Sequence, residues 1–211
     1  MNWWIWIAAL VVYGGFVSWY FNWKGPLTPE EIATFYEKAA SATRPSNTDP
    51  DVLRQFMEAD DGKEFVMLNL VRFPEGEVAH PETGEMTTGP ELIAGYFGPF
   101  SKALFKRGGH PALMAQKRGG HIDSWNAAGD QGFQLVGAMR YRSRRDLVQL
   151  IDNPRFADGH KFKLAAIDGT TSFPMQVRMS SYLRPPIWVP LAILLIASLA
   201  QNAVFLFSLR G

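Results

Sequence analysis

Four histidines, His80, His110, His121 and His160, are the only imidazoles in a 211-residue chain that has no cysteine. Disulfides, thiolate nucleophiles and cysteine metal sites are therefore absent together. The string "KRGGH" occurs twice, ending at His110 and at His121. Along one extended strand those two rings would stand about 36 Å apart at about 3.3 Å per residue, so they could share a ligand only if the chain folds back. No HxxxH or HxxE pair occurs, and there is no GxSxG, Walker or strand-preceded GxGxxG pattern. What remains for catalysis is a cavity between sheet and helices, or at a dimer seam, where Asn69, Gln134, Arg140 and Gln176 would converge with His121. The same residues serve equally well as edge or satisfied core polar groups. The expectation is a protein that is not an enzyme, with no catalytic, metal-binding or cofactor-binding residues.

A second chemical candidate is "RYRSRRDLVQLIDNPRF", residues 140 to 156, where Arg140, Arg142, Arg144 and Arg145 crowd into six positions. They suit a phosphate, a lipid headgroup or an acidic partner. They also fit the seam between a strand, carrying Arg140 and Arg142, and a helix capped by Ser143, whose first turn would hold Arg144 and Arg145 against the macrodipole. A formal net charge of +1 argues against nucleic acid as the partner. The distribution is less even: acids dominate from Gly25 to Glu91, bases from Leu92 to Arg184. Two such halves attract each other within the chain, or dock two copies head to tail.

The ends of the chain are of another kind. "WWIWIAALVVYGGFVSWYF", Trp3 to Phe21, has no charged side chain and as a helix would extend about 28 Å, close to the hydrocarbon thickness. "IWVPLAILLIASLAQNAVFLFSL", Ile187 to Leu209, is longer, also uncharged, and could span with some tilt. Of 7 tryptophans only Trp125 lies away from these segments. Trp3, Trp4, Trp6, Trp19, Trp23 and Trp188 sit in them or at their ends as interface anchors do. The first segment lacks a basic n-region and a small-residue cleavage site, so a retained span is expected rather than a signal peptide. Lys24, Lys38, Arg178 and Arg184 flank the domain side against Arg210 opposite, which favours a two-pass inner-membrane protein with a cytoplasmic domain. Within the spans, Gly14 and Ser18 form a small-xxx-small step for helix packing, and Gln201 and Asn202 require hydrogen-bonding partners in lipid.

Between the spans, "LTPEEIATFYEKAASA" opens with Thr28 as N-cap and Glu31 closing a capping box, and presents Ile32, Phe35, Tyr36 and Ala39 on one face. "RPSNTDP" reads as a linker, and Asp49-Pro50 starts a second short helix. Glu64 to Phe73 is apolar at nearly every position, as a central strand covered on both faces would be. A surface excursion or hairpin over 74 to 89 follows, then a helix from Pro90 with Pro99 inside it and a stop at Gly108 or Gly109. Strands are expected at "HPALMAQK", at Phe133 to Arg142 and at "TSFPMQVRM". A helix from Ser143 ends at Asn153-Pro154, and a further one carries Phe156, Phe162, Leu164 and Ile167.

The order strand, helix, strand, strand, helix, strand gives an α+β fold, a ferredoxin-like βαββαβ domain with an antiparallel sheet. The organisation expected is a span over 1–23, a helical linker over 24–62, the α+β domain over 63–180 and a second span over 185–210. On "FVMLNLVRF", "YFGPFSKALFKRGGHPALMAQ", "LVGAMRYRSRRDLVQLIDNPRF" and "HKFKLAAIDGTTSFPM", about half the chain resembles the domain-of-unknown-function family 1330 of the dimeric α/β-barrel superfamily. That resemblance implies the fold and no assigned chemistry, because its motifs are fold motifs. The wider superfamily includes monooxygenase-like and haem-linked enzymes as well as binding domains. The two spans depart from the usual small soluble member.

The function expected is a non-catalytic two-span accessory subunit of a larger integral membrane complex, respiratory or photosynthetic, whose partners are lipid and other membrane subunits. The alternative is a membrane-tethered enzyme or ligand binder that forms a homodimer through its sheets.

Overall fold

The structure is a computed structural model describing residues 2–41, 49–127, 129–151, 154–180 and 184–208, without the side chains of 39–41, 154–158 and 160. Most of the linker reading over 44–50, Asn153, the Ala39 and Phe156 side chains and Arg210 lie outside the described residues. The chain divides into two compact units, Lys24–Gln176 and a pair formed by Met1–Trp23 with Val177–Gly211.

In the larger unit, α1 being the first apolar helix (Trp3–Tyr20), the chain continues through α2 (Pro29–Ser41) and α3 (Pro50–Glu58). Both helices begin where side-chain caps satisfy the orphan N–H groups. Thr28 Oγ1 accepts from Glu31 N at 3.3 Å while Glu31 Oε2 accepts from Thr28 N at 2.9 Å, and Asp49 Oδ1 accepts from the backbone N–H groups of Asp51 and Val52. Strand β1 (Phe65–Arg72) is followed by a short hairpin of β2 (Glu77–Ala79) and β3 (Met86–Thr88), then α4 (Gly89–Phe105), β4 (His110–Gln116), β5 (Leu135–Tyr141), α5 (Arg144–Ile151), α6 (Pro154–Ala166) and β6 (Gly169–Met175). The sheet order is β4-β5-β1-β6 with every pairing antiparallel. This is the α+β architecture with an antiparallel sheet, in the ferredoxin-like order once the β2–β3 hairpin is set aside.

Register fixes which side chains share a face. Phe65 pairs with Tyr141 and Met67 with Met139. These residues meet Phe100 and Leu104 of α4 and Leu147 and Leu150 of α5 in one buried core, with the Phe65 and Tyr141 rings stacked at 5.1 Å. A satellite cluster of Ile32, Phe35 and Met57 joins α2 to α3 and reaches Val148 of α5.

Three expectations need correction. β1 is central, but only Phe65 and Val66 are buried, and the rest of the strand is half-buried. The half-buried positions fall on both faces of the strand, which the apolar run by itself did not disclose. The helix read from Pro90 is capped one residue before its first turn: Thr88 and Glu91 form a complete capping box, so an element assigned to the excursion also starts the helix. The last strand runs Gly169–Met175, two residues earlier than the string at 171–179 implied, because Asp168 N already donates to Arg72 O.

Candidate functional site: the arginine run and the helix pair

Arg140, Arg142, Arg144 and Arg145 are all committed within the larger unit. On β5, Arg140 is 3% exposed; its Nε and Nη2 donate to Glu64 Oε2 at 2.9 and 2.6 Å, and its Nη1 to the Gly108 carbonyl. Arg142 grips Asp146 with two parallel bonds of 2.9 and 2.7 Å. Asp146 in turn accepts from Ser143 Oγ at 2.6 Å, while Asp146 N donates to Ser143 Oγ at 3.2 Å, so the N-cap of α5 is locked reciprocally. Arg144 lies 4.4 Å over the Phe56 ring, donates to the Phe56 carbonyl and stands 3.4 Å from Asp60 Oδ1.

Arg145 joins α5 to α2 and to the stretch before it. Its Nε and Nη2 meet Glu31 Oε1 and Oε2 at 2.6 and 2.8 Å, and Nη1 and Nη2 donate to the carbonyls of Gly25 and Pro26 at 3.0 and 2.7 Å. Asp60 completes the hold by accepting from Leu27 N at 2.8 Å. Gly62, at φ +72°, leaves room for Pro26, whose N would otherwise lie 2.8 Å from an added Cβ. The hydrogen bond from Arg145 is the main reason the Glu31 carboxyl is held well down, at about 2. The stretch Gly25–Leu27, which follows the first apolar helix in sequence, is therefore clamped to α5 and to the Asp60 turn.

The sequence reading of the run as either a strand–helix seam or a site for a phosphate, lipid headgroup or acidic partner omitted this third use. The missing partners, Glu31, Asp60 and Glu64, all come from the acid-rich first half. The one signal that could have found them was the acid/base asymmetry, which the fold uses within the chain; Glu82 with Lys161 at 2.8 Å follows the same pattern.

The residues offered for a shared cavity do not converge. Asn69 lies on the helix-covered face, where Nδ2 donates to the carbonyls of Met67 and Gly137, and Oδ1 accepts from Ser172 Oγ at 2.8 Å. Gln134 accepts from Phe73 N at one end of β5, and Arg140 stands at the other end, about 20 Å away at roughly 3.4 Å per residue. Gln176 bonds Asp61 at 2.9 Å, and His121 sits beyond β4, 3.6 Å from Asp130. His110, at the start of β4, directs Nδ1 to the Pro111 carbonyl at 2.9 Å; burial is the chief cause of its lowered pKa. His80 accepts from Glu82 N and Thr83 N inside the hairpin.

The smaller unit pairs α1 with α7 (Pro185–Ser208). Both helices are long and apolar enough to cross a membrane. At about 1.5 Å per residue they extend about 27 and 36 Å. Gln201 Oε1 accepts from Asn2 N at 2.9 Å, satisfying an orphan donor at the start of α1. Ala197, one turn earlier on α7, is 4% exposed, and Ile5 and Tyr20 are the buried residues of α1. Trp3, Trp4, Trp23 and Trp188 are exposed, while Trp6 and Trp19 are half-buried. Gly14 and Ser18 do not lie between the two helices: both are exposed, and a Cβ on Gly14 would meet nothing within 4 Å. Asn202 is exposed as well, so of the two amides only Gln201 is used inside the pair.

No family model matches the chain, and no curated protein does. Among solved structures it is similar to RPA0582, a protein of unknown function from Rhodopseudomonas palustris, at 23% identity and a TM-score of 0.52 over 64% of this chain and 97% of that one. The structure of the methylated RPA0582 protein matches at 26% identity and a TM-score of 0.51 over 67% and 100%. SnoaB, a cofactor-independent oxygenase from Streptomyces nogalater, is more distant, at 12% identity and a TM-score of 0.36 over 57% of this chain and 99% of that one. The likeness to RPA0582 is one of fold, and the function of that protein is itself unknown.

Proposed function

We propose that the chain is a non-catalytic, two-span accessory subunit of a larger integral membrane complex, anchored by α1 and α7 and presenting its α+β unit to neighbouring subunits from the cytoplasmic side of the inner membrane. The observation that carries this reading is the apolar surface of the helix pair. Trp3, Leu10, Val11, Leu195, Ile196 and Phe207 are each 60 to 74% exposed, a surface that water does not tolerate and lipid does. Neither helix holds an Asp, Glu, Lys or Arg, which leaves nothing to relay ions or protons. Gly14 and Ser18, facing outward, are available to a further helix.

The test is extraction of the full chain from its native membrane in mild detergent, followed by a mass-spectrometric inventory of the particle. Stoichiometric companion membrane subunits support the reading. A chain that is freely soluble without surfactant, or one that purifies alone with a bound ligand or turnover, overturns it.

The second reading, a membrane-tethered ligand binder or enzyme dimerising through its sheets, is favoured by one feature. Leu113, Ala138, Leu68 and Phe173 pair across the sheet in one row on the face opposite the helices, with Leu113 and Phe173 44% and 41% exposed. Such a row suits a second sheet.

A further inference from the structure

Two polar side chains stand on α7 away from α1. Ser198 and Asn202, one turn apart, are both exposed, and among the described residues neither side chain has a hydrogen-bond partner. Asn202 lies about 9 Å along the axis from the end of α7 and Ser198 about 15 Å, close to the middle of the helix. In a helix that spans hydrocarbon, a carboxamide and a hydroxyl at those depths require partners.

Their surroundings show what kind of partner. Trp188, Leu191, Leu195, Ser198, Asn202 and Phe205 recur at spacings of three, four, three, four and three residues, the a/d repeat of a left-handed helix pair. All six are exposed. Gln201 and Ala197, which belong to the contact with α1, lie about a third of a turn round the helix. Asn202 thus falls at an a position, where a lone amide fixes register and favours two strands.

The geometry points to a parallel homodimer of this chain in the bilayer, paired along this seam of α7, with Asn202 bonding Asn202 and Ser198 bonding Ser198 of the second copy. A second copy inserted with the same topology brings both side chains to equal depth, and each is at once donor and acceptor, so the seam is complementary to itself. The inference rests on α7 crossing the membrane, as proposed above, and is independent of which subunits surround it.

The absence of cysteine permits a direct test. Single cysteines are placed at Leu191, Leu195, Ser198, Ile196 or Ala203 of the purified full chain. The protein is reconstituted in phosphatidylcholine–phosphatidylglycerol vesicles and oxidised. Disulfide dimers are expected at 191, 195 and 198 and not at 196 or 203. In the Leu195→Cys background, Asn202→Leu should lower dimer yield about fivefold, the equilibrium factor for one interhelical hydrogen bond, and Asn202→Gln should restore it. A monomeric chain in vesicles, cross-linking without this period, or a yield indifferent to Asn202→Leu overturns the inference. Loss of companion subunits from the native particle would instead strike the accessory-subunit reading and leave the seam standing.

Discussion

Arg145 and Glu31, 114 residues apart, meet in a two-pronged ion pair with bonds of 2.6 and 2.8 Å. The same Glu31 carboxylate closes the capping box of α2. One side chain therefore starts a helix and fastens it to α5. Substituting Glu31→Gln keeps the cap and loses the ion pair. With Glu31 partly exposed, the expected loss of stability is about 1–2 kcal/mol, read from thermal or denaturant unfolding in detergent.

The pH dependence of that pair has a definite sign. The bond from Arg145 holds the folded carboxyl down at about 2 against its ordinary 4.5, so its contribution is present in full above the unfolded value and is lost as pH falls from about 4.5 towards 2. Unfolding measured across that window should show stability declining with acid, and the Glu31→Gln variant should lose part of the slope. An identical slope in the variant would remove Glu31 from the explanation.

Arg140 is 3% exposed and serves Glu64 and the Gly108 carbonyl together. Arg140→Ala removes these bonds from the Glu64 carboxylate and the Gly108 carbonyl, at a cost of about 3 kcal/mol. The check is a lowered melting temperature. Any functional loss in this variant reports folding unless the melting curve is unchanged.

Two glycines make opposite predictions. At Gly109 an added Cβ would lie 2.5 Å from Leu104 Cδ1 and 2.7 Å from the Arg140 carbonyl oxygen, so Gly109→Ala should destabilise by about 2 kcal/mol. At Gly14 nothing lies within 4 Å, and Gly14→Ala should leave the isolated protein's stability unchanged. If a partner helix packs on that step, the same substitution weakens co-isolation with the companion subunits.

Gln201→Leu removes the acceptor from Asn2 N. The apolar contact of α1 with α7 remains, so the pair should loosen by about 1 kcal/mol rather than separate. Spin labels near residues 3 and 200 would report a broadened distance distribution, and an unchanged one would show that the bond carries no weight.

Much of the fold was legible because its signals are local. Thr28 with Glu31, Asp49 with Pro50 and Ser143 with Asp146 are caps whose partners lie within three residues, and the alternation in 133–142 declares a strand without reference to any other element. Thr88 with Glu91 carries the same signature but was hidden inside a stretch read as an excursion. The uncharged lengths from Trp3 and from Ile187 follow from composition alone, since only length and apolarity decide whether a helix can cross lipid.

What the sequence could not disclose is which side chains meet. Arg145 with Glu31, Arg140 with Glu64 and Arg144 with Asp60 join residues 76 to 114 positions apart, and their pairing depends on the register of β1 against β5 and on how α2 and α3 dock. The same holds for the dispersal of Asn69, Gln134 and His121, and for the turn of α1 that leaves Gly14 outside while Gln201 faces in. Composition and short-range pattern determined the elements and which two helices are long and apolar enough to cross lipid. Only the tertiary arrangement decided that the arginines bind the chain's own carboxylates, because a charge pairs with whichever opposite charge the backbone brings within a few ångströms.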